Sequence, residues 1–152
     1  MADEFYHKNI FGTVVDVNLG GERSDLNTDS QGLTLRSRAE FNVFALADAL
    51  GSRKRKEAWI LYQKALAAGV SAEEIFFKLV WQVKSMLMAS RTKDVSETDM
   101  KIFPYNKAKS FLKNFQFGEL EKLSESLVIG HILARRGQGE IETLIEKTLL
   151  SL

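Results

Sequence analysis

The sequence predicts an all-α fold, a helical bundle of five to six helices, with an N-terminal extension ahead of it. Two observations predict the bundle. From residue 41 onwards, apolar residues recur at the three- and four-residue spacing of helices, and glycine or polar stretches interrupt them at short intervals. The 152 residues contain a single proline, and helix interiors exclude proline, so several long helices are permitted. A chain of this length predicts one main domain.

Residues 1–40 form the predicted extension because their composition differs from that of the predicted helical domain, residues 41–152. Residues 1–40 carry seven acids and four bases, whereas residues 41–152 carry thirteen acids and seventeen bases. Residues 13–19 and 33–35 have the β-branched and apolar content of strands, with a polar, turn-forming stretch between them. The extension is therefore either a long-looped β-hairpin or a disordered tail.

The first two predicted helices follow directly after the extension. Apolar residues between 41 and 50 predict a short helix that Gly51 terminates as a C-cap. Ser52 is the predicted N-cap of the second helix, which runs to about residue 68 and ends at Gly69. Trp59 and Tyr62 lie three residues apart, so they share one face of this helix.

The third predicted helix begins at Ser71, where Ser71 and Glu74 have the spacing of a capping box. Apolar side chains between residues 75 and 87 share one broad arc, and Phe77, Trp81 and Met88 form a second arc. A helix that is apolar on two sides is normally central in a bundle. This helix is therefore the predicted core element.

Three further helices complete the predicted bundle. Pro104 has the position of a first helical residue (N1) in the fourth helix, whose apolar residues between 105 and 115 share one arc. Gly118 precedes the fifth helix, which runs from Glu119 to about Arg136. Gly137 separates the fifth helix from the sixth, which continues to the terminus.

The residue types present give no pattern for catalysis. The chain has no cysteine, which excludes disulfides, thiolate metal sites and cysteine nucleophiles. Its two histidines, His7 and His131, lack the spacing of a metal site, and no convergent set of polar groups predicts an active site. We therefore predict no enzymatic activity, no cofactor, no bound metal and no small-molecule substrate.

The sequence also predicts where the protein resides. The start of the chain is acidic and polar, unlike a signal peptide, and no apolar stretch reaches the ~18 residues of a membrane span. The lack of cysteine fits a reducing compartment. These features predict a cytoplasmic protein that has no membrane partner.

Basic residues cluster in three places although the net charge is only +1. The first cluster is Arg53, Lys54, Arg55 and Lys56. The second is Lys107, Lys109 and Lys113, with Lys101 before them, and the third is Arg135 with Arg136. Such clusters neutralise phosphates in nucleic-acid-binding proteins, and they also form ordinary solvated helix faces. The rings between residues 103 and 115 lie on the arc opposite the lysines, so bases stacked beside these charges are not predicted.

Residues 41–152 resemble, through the order and spacing of three stretches, the C-terminal domain of the delta subunit of bacterial DNA polymerase III. The first stretch is FALADALG at residues 44–51, followed by a helix leading to AAGVSAEEI and an apolar helix containing a tryptophan and a glutamine. The second is Phe103-Pro104-Tyr105 with the lysines after it. The third is LVIGHILARRG, residues 127–137. There the family usually has an acid at the place of His131 and a lysine at the place of Arg135.

The resemblance implies a helical collar domain that joins the subunits of a clamp loader, the machine that places the sliding clamp on primed DNA. The implied partners are the other clamp-loader subunits, ATPase and delta-prime-like. In that family the clamp-contacting parts lie in N-terminal AAA+-like domains, which residues 1–40 do not resemble, so clamp opening is not implied. The candidate interface residues are Trp59, Tyr62, His131 and Arg135. The alternative is a helical protein that binds nucleic acid through its basic faces.

Overall fold

The computed structural model describes residues 41–152, and the predicted hairpin or tail of residues 1–40 lies outside the described residues. The described part is all-α, as predicted, with six α-helices and no strand. The helices are α1 (Val43–Gly51), α2 (Arg55–Ala67), α3 (Ala72–Arg91), α4 (Ile102–Phe111), α5 (Glu119–Arg135) and α6 (Ile141–Leu150). Two short 3-10 turns, Val95–Glu97 and Leu112–Asn114, flank α4. None of the described helices combines the length and the apolar character that crossing a membrane requires.

The central element is α3, as its two apolar sides predict. The helices α1, α4, α5 and α6 all pack against it. Its buried apolar residues include Ile75, Phe76, Leu79, Val83 and Met86. The predicted cap is also present, because the Ser71 hydroxyl oxygen accepts a hydrogen bond from the Glu74 amide at 3.2 Å.

The turn between α1 and α2 differs from the prediction. Ser52 is the C-cap residue of α1, and Lys54 is the N-cap residue of α2, without a capping bond from its side chain. The amides of Arg53 and Lys54 donate to the carbonyls of Leu50 and Ala49, which are the two hydrogen bonds of a Schellman motif. This motif requires a left-handed residue, and Arg53 adopts that conformation (φ +54°) where a glycine is usual.

Contacts of the Arg53 side chain offset the cost of its left-handed backbone, which is about 1–2 kcal/mol for a residue other than glycine. Its guanidinium donates to Glu119 Oε2 at 2.8 Å and to the Asn114 carbonyl at 3.3 Å. It also lies 5.2 Å from the centre of the Phe115 ring. Arg53 therefore ties the α1–α2 turn to the beginning of α5.

The fourth helix begins earlier than predicted. It starts at Ile102 with Lys101 at the N-cap, so Pro104 is the third helical residue and not the first. The proline is still in the first turn, where a backbone N–H has no partner within the helix. The fifth helix ends at Arg135, one residue before the predicted end.

Two glycines lie where a side chain of a neighbouring helix packs directly against the backbone. A Cβ atom placed on Gly51 of α1 would lie 2.5 Å from the ring of Phe111 of α4. A Cβ atom placed on Gly130 of α5 would lie 2.5 Å from a methyl of Leu144 of α6. A side chain at either position would therefore require the neighbouring side chain to move.

Candidate functional site

A groove opens on the surface between α1, α3 and α4, and mainly apolar side chains line it. Its cavity volume is about 390 Å³. The lining residues are Phe44, Asp48, Trp81, Gln82, Ser85, Phe103, Pro104, Lys107 and Ala108. We call this site the aromatic groove.

Each of the three helices contributes two groove residues that are one helical turn apart. The pairs are Phe44 and Asp48 on α1, Trp81 and Ser85 on α3, and Phe103 and Lys107 on α4. Residues four positions apart lie on the same side of a helix. The groove therefore forms where one face of each helix meets the other two.

The aromatic rings of the groove are more exposed than core packing requires. Phe44 is 50% exposed and Phe103 is 76% exposed. Phe44 packs edge-to-face against Trp81, with 6.0 Å between ring centroids. The Lys78 ammonium lies 4.7 Å from the centre of the Phe44 ring. Large rings that border a depression and remain accessible are typical anchors of protein–protein interfaces.

The polar groups of the groove are few, and two of them form an ion pair. Lys107 Nζ lies 2.5 Å from Asp48 Oδ2, so the pair connects α4 to α1. Both side chains are about one-third exposed, which limits the stability that such a pair contributes. Gln82 and Ser85 of α3 are buried and supply the other polar side chains of the lining. This composition suits an apolar side chain or the edge of an apolar helix.

The first predicted basic cluster is largely engaged within the protein. Arg53 makes the contacts described above. Lys54 pairs with Glu57 at 3.2 Å. Arg55 donates two hydrogen bonds to the carbonyl oxygen of Leu152, at 3.0 and 2.6 Å. Three of the four predicted charges are therefore already paired or hydrogen-bonded in the fold.

Two of the three lysines of the second predicted basic cluster are engaged in the same way. Lys107 pairs with Asp48 in the aromatic groove. The Lys109 ammonium donates to the carbonyls of Ala89 and Thr92, at 2.9 and 2.6 Å. These carbonyls belong to the C-terminal end of α3, where backbone acceptors lack partners within the helix. Lys109 therefore acts as a cap for α3.

Two of the seven predicted nucleic-acid residues keep a free charge. Lys56 and Lys113 are exposed, and within residues 41–152 neither forms an ion pair or a side-chain hydrogen bond. They lie on different elements, Lys56 on α2 and Lys113 in the turn after α4. The sequence clusters therefore do not become two continuous patches of free positive charge.

Among the predicted interface residues, Tyr62 is completely buried, so its prediction as an exposed anchor is wrong. The face that it shares with Trp59 turns towards the bundle, and the two rings lie 5.9 Å apart. Burial, together with the nearby carboxylates of Glu146 and Glu142, raises the pKa of the Tyr62 hydroxyl. That hydroxyl has no hydrogen-bond partner among the described residues.

The other two predicted interface residues lie on α5 in different surroundings. His131 is half-buried against Phe76 and Phe77 of α3, with ring centroids at 5.1 and 5.5 Å. Arg135 is exposed at the end of the helix. His131 therefore belongs to the packing of α5 on α3, and Arg135 belongs to the surface.

The sequence predictions missed the aromatic groove, although the pattern of α3 contained a signal for it. The second apolar arc of α3 includes Trp81. A helix with two apolar sides is shielded from water only if other elements pack against both sides. The structure covers this side only in part, with α1 and α4. The sequence places Phe44 and Phe103 on amphipathic helices, but the exposure of their rings depends on how closely α1 and α4 approach each other and α3.

Comparisons with known proteins do not add to this geometry. No protein-family model, curated protein or solved structure matches the chain. Within residues 41–152, no group of three or more histidine, aspartate or glutamate side chains is placed to hold a metal ion. Residues 41–152 are therefore described by their structure alone, which is an all-α bundle with an exposed aromatic groove.

Proposed function

We propose that the chain is a non-catalytic module of a clamp loader, related to the collar domain of the bacterial delta subunit. It works in DNA replication by joining other clamp-loader subunits. The aromatic groove is the site at which it contacts them, and its occupant is an apolar side chain or helix edge of a neighbouring subunit.

One observation carries this proposal. The stretches through which the sequence resembles the delta collar extend from residue 44 to residue 137, and residues of the first two stretches and of the helix between them meet in the groove. Phe44 and Asp48 belong to the first stretch, and Phe103 belongs to the second. Trp81 and Gln82 are the tryptophan and glutamine of the intervening helix. Resemblance at buried positions is explained by packing alone, whereas exposed rings at the same place favour a shared binding surface.

The energetics of the groove are adequate for such a contact. Complete burial of one phenylalanine side chain contributes about 1.5–3 kcal/mol relative to an exposed one. Phe44 and Phe103 would each contribute part of that amount when a partner covers them. The Asp48–Lys107 pair supplies polar groups beside the apolar lining, which favours one orientation of the partner over others.

Nucleic-acid binding through the basic faces is the weaker alternative. Arg53, Lys107 and Lys109 already hold carboxylates or helix carbonyls within the fold. A phosphate backbone would have to displace those contacts or depend on Lys56 and Lys113. A double variant with Lys56→Glu and Lys113→Glu tests the alternative, because it removes free charges without breaking a contact of the described structure.

The test uses the full chain mixed with the clamp-loader ATPase subunits of its own organism, analysed by size-exclusion chromatography with light scattering. We expect co-elution at a defined stoichiometry. We expect the double variant Phe44→Ala, Phe103→Ala to bind at least about 30-fold more weakly, as two hot-spot residues would. Phe117→Ala is the matched control, because Phe117 is fully exposed and does not line the groove.

Two results would overturn the proposal. If the wild-type chain elutes alone at all concentrations tested, the clamp-loader assignment is wrong. If the groove variant binds the subunits as well as the Phe117→Ala control does, the groove is not the contact. Thermal denaturation of each variant, followed by circular dichroism, separates loss of binding from loss of folding.

A further inference from the structure

A second exposed apolar surface lies on the solvent side of α5. It consists of Val128, Ile129, Ile132 and Leu133, whose side chains are between 38% and 53% exposed. We call this surface the α5 outer face. At 100° per residue, its four side chains span an arc of about 140°. Such an arc is as wide as the apolar stripe by which an amphipathic helix normally packs on a protein core.

The bundle does not use the α5 outer face, because α5 packs on its neighbours through other residues. Leu127 is buried in the core, and His131 contacts Phe76 of α3. Gly130 lies against Leu144 of α6. The outer face points away from these contacts, so the described part of the chain leaves it without cover.

The α5 outer face is symmetric about its midpoint, which falls between residues 130 and 131. Reversal of the helix direction about this point exchanges Val128 with Leu133, and Ile129 with Ile132. The next pair outward that lies within the same arc is Glu125 and Arg136, which carry opposite charges. Both are exposed, and neither forms an ion pair with another described residue.

We propose that the α5 outer face binds a second copy of this chain, with the two α5 helices antiparallel about a two-fold axis. In this arrangement Val128 and Ile129 of one copy pack against Leu133 and Ile132 of the other. Glu125 of each copy then faces Arg136 of the other, which gives two ion pairs about 16 Å apart, eleven residues at 1.5 Å each. A two-fold interface requires a self-complementary patch. Here apolar side chains face apolar side chains, and the acidic residue of each copy faces the basic residue of the other.

The charge pattern favours this occupant over an unrelated partner. Antiparallel pairing of two copies requires opposite charges at equal distances from the centre of the face, and Glu125 and Arg136 meet this requirement. Parallel pairing of two copies would set Glu125 against Glu125 and Arg136 against Arg136, which is repulsive. One helix face buries less than the ~800 Å² per partner of a standard interface, so we expect a weak, concentration-dependent dimer.

This inference does not depend on the proposed function. The aromatic groove is built from α1, α3 and α4, and α5 contributes no residue to it. A dimer through α5 would leave both grooves open. Failure of the dimer would therefore leave the groove proposal standing, and failure of the groove would leave the dimer standing.

The first test measures the mass of the full chain by sedimentation velocity, from low to several hundred micromolar. We expect a monomer–dimer equilibrium for the wild type and a monomer throughout for Ile132→Glu, because the variant places a charge at the centre of the apolar contact. Lys64→Glu is the control, since Lys64 is an exposed residue of α2 and should keep the dimer. A monomeric wild type, or a dimer that persists in Ile132→Glu, would overturn the proposal.

The second test exchanges the charges at the ends of the face. Glu125→Arg and Arg136→Glu alone should each weaken the dimer about tenfold, because each replaces two attractive contacts by two repulsive ones. The double variant should restore wild-type affinity. An equimolar mixture of the two single variants should form heterodimers, since every end contact is then attractive. A double variant that stays as weak as the single variants would contradict antiparallel pairing.

Discussion

The two exposed apolar surfaces of this protein are built in opposite ways. The aromatic groove combines residues of three helices that lie far apart in the sequence, whereas the α5 outer face belongs to six consecutive positions of one helix. The shape of the groove therefore depends on the spacing between helices, and the α5 outer face depends only on α5 being helical. A change in the packing of the bundle should alter the first surface and spare the second.

The largest effect is expected at Gly51, where the ring of Phe111 leaves no room for a side chain. Gly51→Ala should lower the free energy of unfolding by about 1–3 kcal/mol, because the new Cβ atom would lie 2.5 Å from the stiff ring of Phe111. Chemical denaturation followed by circular dichroism measures this change. Since α1 and α4 must move apart to admit the methyl group, the indole NMR signal of Trp81 in the groove should also shift.

Gly130→Ala is the matched comparison on α5. Its Cβ atom would meet the side-chain methyls of Leu144, which can rotate away, and alanine in a helix is favoured over glycine by about 1 kcal/mol. We expect a net change below about 1 kcal/mol and an unchanged Trp81 signal. If Gly51→Ala and Gly130→Ala destabilise the protein equally, then the aromatic groove does not depend on helix spacing more than the α5 outer face does.

A smaller effect is expected from the cap that α4 provides for α3. Lys109→Met keeps the aliphatic stem and removes the bonds to the carbonyls of Ala89 and Thr92. We expect a loss of about 1 kcal/mol in the free energy of unfolding. Hydrogen exchange should become faster in the last turn of α3, beside the groove, and remain unchanged in α5.

Lys113→Met is the control for this variant, because it removes the same charge from a lysine without such bonds. If Lys113→Met destabilises the protein as much as Lys109→Met does, the capping role is wrong and general electrostatics explain the loss. The pair also bears on the alternative function, since a phosphate-binding role would make both variants weaken DNA binding and leave stability unchanged.

The smallest effect concerns the contact that joins α5 to the α1–α2 turn. The Glu119 carboxylate accepts from the Gln116 amide at 2.6 Å and from Arg53 at 2.8 Å, and these two bonds lower its pKa. Because the pKa is lowered in the folded state, the ionised Glu119 stabilises the fold at pH values above its ordinary pKa of 4.5. This contribution is lost as the pH falls through the folded-state pKa. Glu119→Gln should therefore lower the melting temperature slightly at neutral pH.

The pH dependence provides the check on this prediction. The melting temperatures of Glu119→Gln and the wild type should converge in acid, where the wild-type carboxylate is protonated. Thermal melts from neutral pH into the acid range measure this convergence. A difference that stays constant over the whole range would mean that the carboxylate charge is not what stabilises the contact. The α5 dimer should persist in the variant, because the contact lies outside the α5 outer face.

The sequence predicted those parts of the fold whose causes are local. The Ser71 cap and the end of α2 at Gly69 each depend on hydrogen bonds between residues at most five positions apart. The cap of α2 was predicted at Ser52 and was wrong, because the Schellman motif that ends α1 needs the next two residues. The left-handed conformation of Arg53 had no local signal, since the contact with Glu119 spans 66 positions.

The candidate site shows the same division. The sequence indicated that α3 has two apolar sides, but it could not show that α1 and α4 cover the second side only in part. It also located the basic residues that lie close together along the chain, but it could not show their partners. Lys109 is bonded to carbonyls 17 and 20 positions away, and Lys107 to a carboxylate 59 positions away.

The sequence by itself determined the all-α class, the order of the helices and the central place of α3. Helical periodicity and capping act within a few residues, so they can be read from one segment at a time. Only the tertiary structure decided that Phe44, Trp81 and Phe103 meet at one groove, that Tyr62 is buried and that five of the seven basic residues in the first two clusters have partners within the fold. Those outcomes depend on contacts between distant segments, and their distances are set by how the helices pack together.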